Sequence, residues 1–171
     1  MRIYKYLLFL VITTFFLYSN TSCERDDICA EGTPTTSFLI IKFIDFESGS
    51  DVKVPPGLEV KATDVETPFP IGTVTESISI PLKSNASFTD YELTINSDTT
   101  NTDVTPNTDI INIQYTPTEE YVSSACGFKI NYQGLTISPV DPGNDGNWIE
   151  NITIQRENVN DETAAHVFIF H

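Results

Sequence analysis

Three cysteines carry the most evident chemistry in this 171-residue sequence: Cys23, Cys29 and Cys126. Thiols pair as disulfides, accept covalent groups or bind metals. A disulfide framework alone does not leave an odd number of cysteines, so one of the three is expected to have a different fate. Metal binding is not predicted, because structural zinc takes four ligands and only His166 and His171 could join the thiols.

The segment before Cys23 indicates what that fate is. A short region with Arg2 and Lys5 is followed by an apolar run, 7–17, and then by small polar residues. This order is typical of a secretory signal peptide. The apolar run is too short for a helix to span the ~30 Å of membrane hydrocarbon, which disfavours a retained membrane helix. We predict that residues 1–22 are a signal peptide that is removed.

Cys23 directly after Ser22 resembles the bacterial lipobox, in which the cysteine receives a diacylglycerol and an acyl chain such as palmitate. Asn20 stands where the lipobox usually has an aliphatic residue, which bears on the efficiency of processing more than on its site. Two acyl chains suffice for stable anchoring. Cys23 is therefore the predicted lipid attachment site.

With Cys23 lipidated, Cys29 and Cys126 have one pairing left, and disulfides persist in oxidising compartments. The bridge would close a loop of roughly 100 residues, which stabilises by up to about 4.7 kcal/mol in the chain-entropy model. It would join the start of the folded domain to a strand late in the chain. The mature chain then divides into a lipidated tether with an N-terminal segment, 23–36, and a domain, 37–171.

Four charged residues follow the predicted lipid site: Glu24, Arg25, Asp26 and Asp27. The run resembles the short export signal that sends lipoproteins of the Bacteroidota to the outer face of the outer membrane. A solvated tether without an address is the alternative, and both stay open. We expect an outer-membrane, lipid-anchored protein on the surface-exposed or the periplasmic face.

No arrangement of residues predicts catalysis. A Ser-His-Asp site needs a histidine in a pocket, yet His166 alternates with Phe168 and Phe170 as in a strand, and His171 is the last residue. No nucleophile motif accompanies either histidine, and carboxylate spacing alone identifies no glycosidase pair in so acidic a chain. We predict no catalytic residue and a protein that is not an enzyme.

A turn-forming segment is one candidate for ligand binding. Asp141, Asn144 and Asp145 resemble the oxygen ligands of a calcium loop, but the register against the twelve-residue calcium loop is poor. A plain turn is the favoured interpretation, with Ca²⁺ as the alternative. Apart from the lipid on Cys23, no cofactor is predicted.

Aromatic side chains are the second candidate, because sugars stack on exposed rings. The rings that could form such a platform are Tyr115, Tyr121, Tyr132 and Trp148. Core packing is the alternative, and the period-two pattern favours it for Phe128, Ile130 and Tyr132. Trp148 is the more open case because it follows a turn.

Composition limits the partners. The formal net charge of −15 would repel nucleic acid, which is not an expected partner. At 40% hydrophobic residues the chain has enough apolar side chains for one core.

Apolar residues alternate with period two throughout the mature region, which predicts an all-β fold. The predicted strands are Phe38 to Phe46, Leu58 to Ala62, Val74 to Leu82, Tyr91 to Ile95, Ile110 to Tyr115, Ser124 to Tyr132, Leu135 to Ser138, Trp148 to Arg156 and His166 to Phe170. The first is apolar on both faces and is predicted to be buried from two sides. The third and fourth look like consecutive antiparallel strands, and Gln133-Gly134 predicts a turn. We expect a single antiparallel β-sandwich, immunoglobulin-like in general architecture but without the Cys…Trp…Cys order of antibody domains.

Three segments, 26–36, 124–127 and 144–154, resemble an uncharacterised family of flavobacterial lipoproteins, identified as the domain-of-unknown-function family numbered 6452. The resemblance implies the lipid anchor and supports the pairing of Cys29 with Cys126. It implies no activity.

The sequence thus predicts a non-enzymatic lipoprotein of the cell envelope, an interaction or structural module at the outer membrane. Its expected partners are the membrane, reached through the lipid, and an envelope protein or glycan. The alternative is a glycan- or calcium-dependent ligand-binding lipoprotein, with Trp148 and the 141–147 loop at its site.

Overall fold

A computed structural model describes residues 4–5, 28–98, 104–140 and 146–171. Apart from residues 4–5, the predicted signal peptide lies outside these ranges, as do Cys23, the charged run from Glu24 to Asp27, and the loop residues Asp141, Asn144 and Asp145. No helix within the described ranges is long and apolar enough to cross a membrane.

The described residues form eight strands: β1 (Leu39–Ile44), β2 (Glu59–Ala62), β3 (Ser77–Ile80), β4 (Phe88–Ile95), β5 (Asn107–Ser123), β6 (Gly127–Val140), β7 (Asn151–Ile154) and β8 (Val167–Phe170). They make two four-stranded sheets, ordered β3-β1-β8-β7 and β2-β4-β5-β6. The predicted all-β sandwich is confirmed. All strand pairs are antiparallel except β1 and β8, which run parallel.

The inner faces of the two sheets form one core, because alternate residues of each strand point between them. The first sheet contributes Leu39, Ile41, Phe43, Ile78, Ile80, Val167 and Ile169, and the second contributes Val60, Tyr91, Leu93, Ile111, Ile113, Tyr115, Tyr132 and Leu135. The prediction that the first strand is buried from both sides is wrong at its ends. Phe38 and Phe46 are exposed, and Ile40 is only partly buried.

The sequence pattern assigned two further features incorrectly. The runs around β3 and β4 do not pair with each other, since the strands lie in opposite sheets. The turn predicted at Gln133-Gly134 is instead a β-bulge inside β6, where Tyr115 alone faces both Gly134 and Leu135. Gly134 has φ +66°, the left-handed conformation that a bulge of this type requires and glycine adopts readily.

The hairpin of β5 and β6 extends beyond the sandwich. None of the residues 118–131 is buried, whereas alternate residues between Asp109 and Tyr115 are. We call residues 118–131 the arm. Its turn lies at 124–126, so Ser124 to Cys126 are not strand residues as predicted.

The strand directions define two ends of the molecule. β1 and β8 run away from the arm, and β4 runs away from it in the second sheet. The end opposite the arm therefore holds Ile44, Asn107, Trp148 and His171, together with Phe46, whose N–H donates to the carbonyl of His171, and we call it the outer pole.

Candidate functional site

A disulfide joins Cys29 to Cys126 at the turn of the arm, with the two Cα atoms 4.8 Å apart. The predicted pairing is confirmed. The bridge connects two parts of the chain separated by 97 residues, and it attaches the N-terminal segment to the point of the hairpin farthest from the core.

The N-terminal segment then follows the arm back to the sandwich. The hydroxyl oxygen of Thr36 accepts a hydrogen bond of 2.9 Å from the backbone N–H of Ile130. The N–H of Phe38 donates to a carboxylate oxygen of Glu162 at 2.9 Å, just before β1 begins. The segment is thus held at the tip of the arm, near the root of the arm and at the start of β1.

Polar contacts stiffen one face of the arm. Glu120 accepts a hydrogen bond of 2.6 Å from the Asn131 amide and lies 3.2 Å from the ammonium of Lys129. The Asn131 hydrogen bond, with Lys129 second, holds the pKa of Glu120 below its usual value.

Aromatic rings cover another part of the arm. Tyr121 and Phe128 pack edge to face with ring centroids 5.4 Å apart, and both remain exposed, at 58% and 61%. Beside them an open groove of about 440 Å³ is lined by Phe38, Phe128, Val122 and both disulfide cysteines. The prediction that Phe128 packs in the core is wrong, because Phe128 lies beyond the sandwich. Ile130 is partly buried and packs against the core, and Tyr132, at the root of the arm, is buried as expected.

Trp148, the predicted ligand-binding ring, is part of the core. Its side chain is 7% exposed, and its indole N–H donates a hydrogen bond of 2.9 Å to the carbonyl of Leu93. The ring also packs edge to face against His171, with centroids 5.5 Å apart. Its surface is therefore not offered to a ligand, which corrects the expectation of a Trp148 site.

The segment that carries Trp148 is fixed to the second sheet. Asn107 donates to the carbonyl of Gly146 at 2.9 Å, and the buried carboxylate of Asp109 accepts from the N–H of Ile149 at 2.7 Å. The calcium candidates Asp141, Asn144 and Asp145 precede this segment, outside the described residues, so the Ca²⁺ expectation stays a prediction. Within the described ranges there is no group of three or more metal-ligating side chains.

The two histidines bind backbone groups. The Nδ1 atom of fully buried His166 accepts a hydrogen bond of 3.0 Å from the N–H of Ile40. His171 donates from Nε2 to the carbonyl of Lys53 at 2.8 Å. Burial is the main cause that lowers the pKa of both rings, so both favour the neutral form.

Two of the four rings of the proposed aromatic platform also serve the core. Tyr115 and Tyr132 are buried, and with Tyr91 they donate to three consecutive carbonyls, those of Lys83, Leu82 and Pro81. With Trp148 buried as well, only Tyr121 of the four is exposed, and the platform is not formed.

A groove of about 430 Å³ lies on the outer face of the second sheet, beside the bulge. Exposed Phe88 lines it together with Asn112 and Gln114. Asn112 donates to Asp90 at 2.5 Å and Gln114 donates to Asn112 at 2.9 Å, which fixes the orientation of both amides. Sequence reasoning missed this groove, although alternation in the predicted strands places Asn112 and Gln114 on the face opposite Ile111 and Ile113.

Comparison with known protein families gives a match. A family model described as "Family of unknown function (DUF6452)" matches residues 57–171. The match covers β2 to β8 and Cys126, while Cys29 precedes it. No curated protein and no solved structure matches the chain.

Proposed function

The chain belongs to that family of unknown function, DUF6452, and we propose that it is a non-enzymatic, lipid-anchored interaction or structural module of the cell envelope. The disulfide is the observation that carries the proposal. A bridge between Cys29 and Cys126 is expected outside the cytoplasm, because cytosolic thiols are kept reduced. The bridge also uses two of the three cysteines, which leaves Cys23 for the proposed lipid.

The position of the bridge supports an anchoring role for the N-terminal segment. Cys29 follows Cys23 by six residues, a span of at most about 20 Å when extended. The arm rises about 20–25 Å from its tip to residue 118, at ~3.3 Å per residue. An anchor at Cys23 would hold the tip of the arm near the membrane and carry the sandwich above it, with the outer pole facing away.

The location within the envelope remains part of the proposal. We assign the protein to the outer membrane because Glu24, Arg25, Asp26 and Asp27 follow the lipid site. Protease added to intact cells would digest a surface-exposed domain, and changing the four residues to Ser should then protect it by retaining it inside. Equal digestion of both forms would reject the export signal.

Acylation is the decisive test of the anchor. Cells that produce the full chain and are fed radiolabelled palmitate should label the mature protein. Cys23→Ser should abolish the label and release the protein from the membrane fraction, whereas Ser22→Ala, which keeps a small residue before the cysteine, should retain it. A labelled Cys23→Ser variant, or an unlabelled parent protein, would reject the proposal.

Glycan binding is a second candidate, favoured by the groove at Phe88. Glycan sites commonly combine an aromatic ring for stacking with oriented amides. Phe88, Asn112 and Gln114 supply these in the groove, and Asp90 holds the amide of Asn112. Affinity electrophoresis through soluble starch, xylan or mannan should retard the protein, and Phe88→Ala should remove the retardation. Phe46→Ala, at an equally exposed phenylalanine of the outer pole, is the matched control; equal mobility of all three forms in every gel would reject this candidate.

A further inference from the structure

The arm and the N-terminal segment together expose an apolar cluster that the sandwich core does not explain. Phe38 and Phe128 are exposed and line the groove at the disulfide, exposed Tyr121 packs against Phe128, and exposed Ile28 directly precedes Cys29. Exposed apolar groups gathered in one place usually mark an interaction surface, because leaving them in water is unfavourable.

We propose that this cluster lies in the headgroup region of a neutral lipid membrane. The inference rests on the proposed lipid attachment at Cys23. Five residues, 24–28, separate that cysteine from Cys29, so the bridge and the rings around it would lie within about 20 Å of the acylated residue. Because these five residues are so short a tether, the bilayer surface is the nearest partner that the cluster can reach.

The chemistry of the cluster fits a lipid interface. Tyr rings accumulate where hydrocarbon meets headgroups, since they present an apolar body with one polar atom. The Tyr121 hydroxyl bonds to the nearby hydroxyl of Ser124 at 3.0 Å. Phe128 packs against Tyr121 and would enter with it.

Charge selects the kind of membrane. The arm carries two carboxylates, Glu119 and Glu120, and one ammonium, Lys129, which lies against Glu120. A surface that is acidic on balance is repelled by anionic headgroups. The cluster therefore suits zwitterionic lipids.

Contact of the cluster with the membrane would give the protein a second attachment point, in addition to the lipid on Cys23. A single flexible tether leaves a domain free to tilt, whereas a tether and a seated arm together fix the direction of β5 and β6 relative to the bilayer. The outer pole would then face away from the membrane at a defined angle.

Photo-crosslinking tests the contact. The photoreactive residue p-benzoylphenylalanine replaces Phe128 or, in a second variant, Tyr121, in the full chain produced in cells. The acylated protein is reconstituted in phosphatidylcholine vesicles and irradiated, and adducts are identified by mass spectrometry. Replacement of Phe46, 51% exposed at the outer pole, is the control. We expect lipid adducts when the photoreactive residue stands at position 128 or 121, and no lipid adducts when it stands at position 46.

The outcomes separate the two proposals. Palmitate label on the protein without lipid adducts at 128 and 121 would overturn the membrane contact and leave the anchor standing. Adducts to another copy of the chain in place of lipid, or equal lipid adducts at 46, would overturn it as well. A protein without palmitate label would reject the anchor, and the membrane contact with it.

Discussion

The hydroxyl of Tyr132 donates a hydrogen bond of 2.8 Å to the carbonyl of Leu82 in the buried interior. Tyr132 belongs to β6 in the second sheet, and Leu82 follows β3 of the first, at the point where the chain crosses between the sheets. The neighbouring bonds from Tyr91 to Pro81 and from Tyr115 to Lys83 extend the pattern. Three phenols of one sheet thus hold three successive peptide units of the crossing segment.

Tyr132→Phe should lower the free energy of unfolding by about 1–3 kcal/mol, because it removes the hydroxyl and leaves the buried Leu82 carbonyl without that donor. Tyr121→Phe is the matched control. Its hydroxyl is exposed, so the change should stay within about 0.5 kcal/mol. Urea denaturation of both variants measures the difference, and equal losses would contradict the role given to Tyr132.

The same tyrosines predict a loss of stability in alkali. Burial raises the pKa of Tyr132 to about 12 and also raises the pKa values of Tyr91 and Tyr115 above the ordinary 10. Above about pH 10 the unfolded chain loses these protons while the folded chain keeps them, so the contribution is complete below pH 10 and declines as the pH rises toward 12. Urea midpoints across this range should fall, and less steeply for Tyr132→Phe. A flat profile would argue against burial of the phenols.

Trp148→Ala should destabilise the domain by about 3–5 kcal/mol, as expected for removal of a large core side chain. Phe46→Ala, which truncates an exposed ring at the same pole, should cost at most about 1 kcal/mol. Because Trp148 is the only tryptophan of the sequence, its fluorescence gives a direct check. Emission should be poorly quenched by iodide in the folded protein, and strong quenching would mean that the ring is exposed.

Acid should weaken the fold through His166. Burial, with the charge of Arg156 second, lowers its pKa below 6.5, and a protonated Nδ1 could no longer accept the Ile40 N–H. Below about pH 6.5 the unfolded chain binds a proton that the folded chain resists, so stability is full above that pH and falls as the pH drops toward the folded pKa. His166→Leu should flatten this part of the urea-stability profile. If the stability of His166→Leu falls with pH as steeply as that of the parent protein, the acid sensitivity does not come from His166. His171, whose pKa is also lowered, would then be the next candidate.

Removing the bridge with Cys29→Ser and Cys126→Ser should cost about 2–4 kcal/mol, the usual effect of losing a native disulfide. Hydrogen exchange should show where the loss begins. Since no residue of the arm is buried, amides of 118–131 should lose protection well before those of β4. Uniform loss over both regions would mean that the arm unfolds only together with the core.

Local sequence patterns are sufficient to predict the fold class and the approximate position of most strands. Period two in Tyr91 to Ile95 reports which side chains face inward, and it does so correctly. It does not report which strand lies alongside, so it wrongly predicts that β3 and β4 pair, although they belong to different sheets. Partner choice depends on contacts between distant segments, which a local pattern does not contain.

The hairpin shows a second limit. Gln133-Gly134 predicts a turn because glycine accepts positive φ, but a bulge needs the same conformation. The actual turn at 124–126 contains no glycine, since Gly127 already belongs to β6, so the glycine signal for a turn is absent there. Separating the two requires knowing that β5 is long enough to pair with both halves of β6.

At the candidate site, cysteine counting found the disulfide, whereas ring identity misled. Trp148 is buried because hydrogen bonds to Leu93, Asp109 and Asn107 hold its segment against the core. Phe128 is exposed because the arm extends beyond the core. The Tyr hydroxyls offered a usable signal. Inward-facing tyrosines need hydrogen-bond partners, and three of them point to a polar backbone segment between the sheets.

The parallel pairing of β1 with β8 has a kinetic consequence. Ile40 and His166, which exchange hydrogen bonds at the start of this pairing, are 126 residues apart. The strand that emerges first in the domain lacks its central neighbour until residues 167–170 have been synthesised, so the first sheet cannot close during most of translation. Such long-range closure makes folding slow. The second sheet, made of β2, β4, β5 and β6, needs no strand beyond residue 140, so it can form while the first sheet still waits for β8.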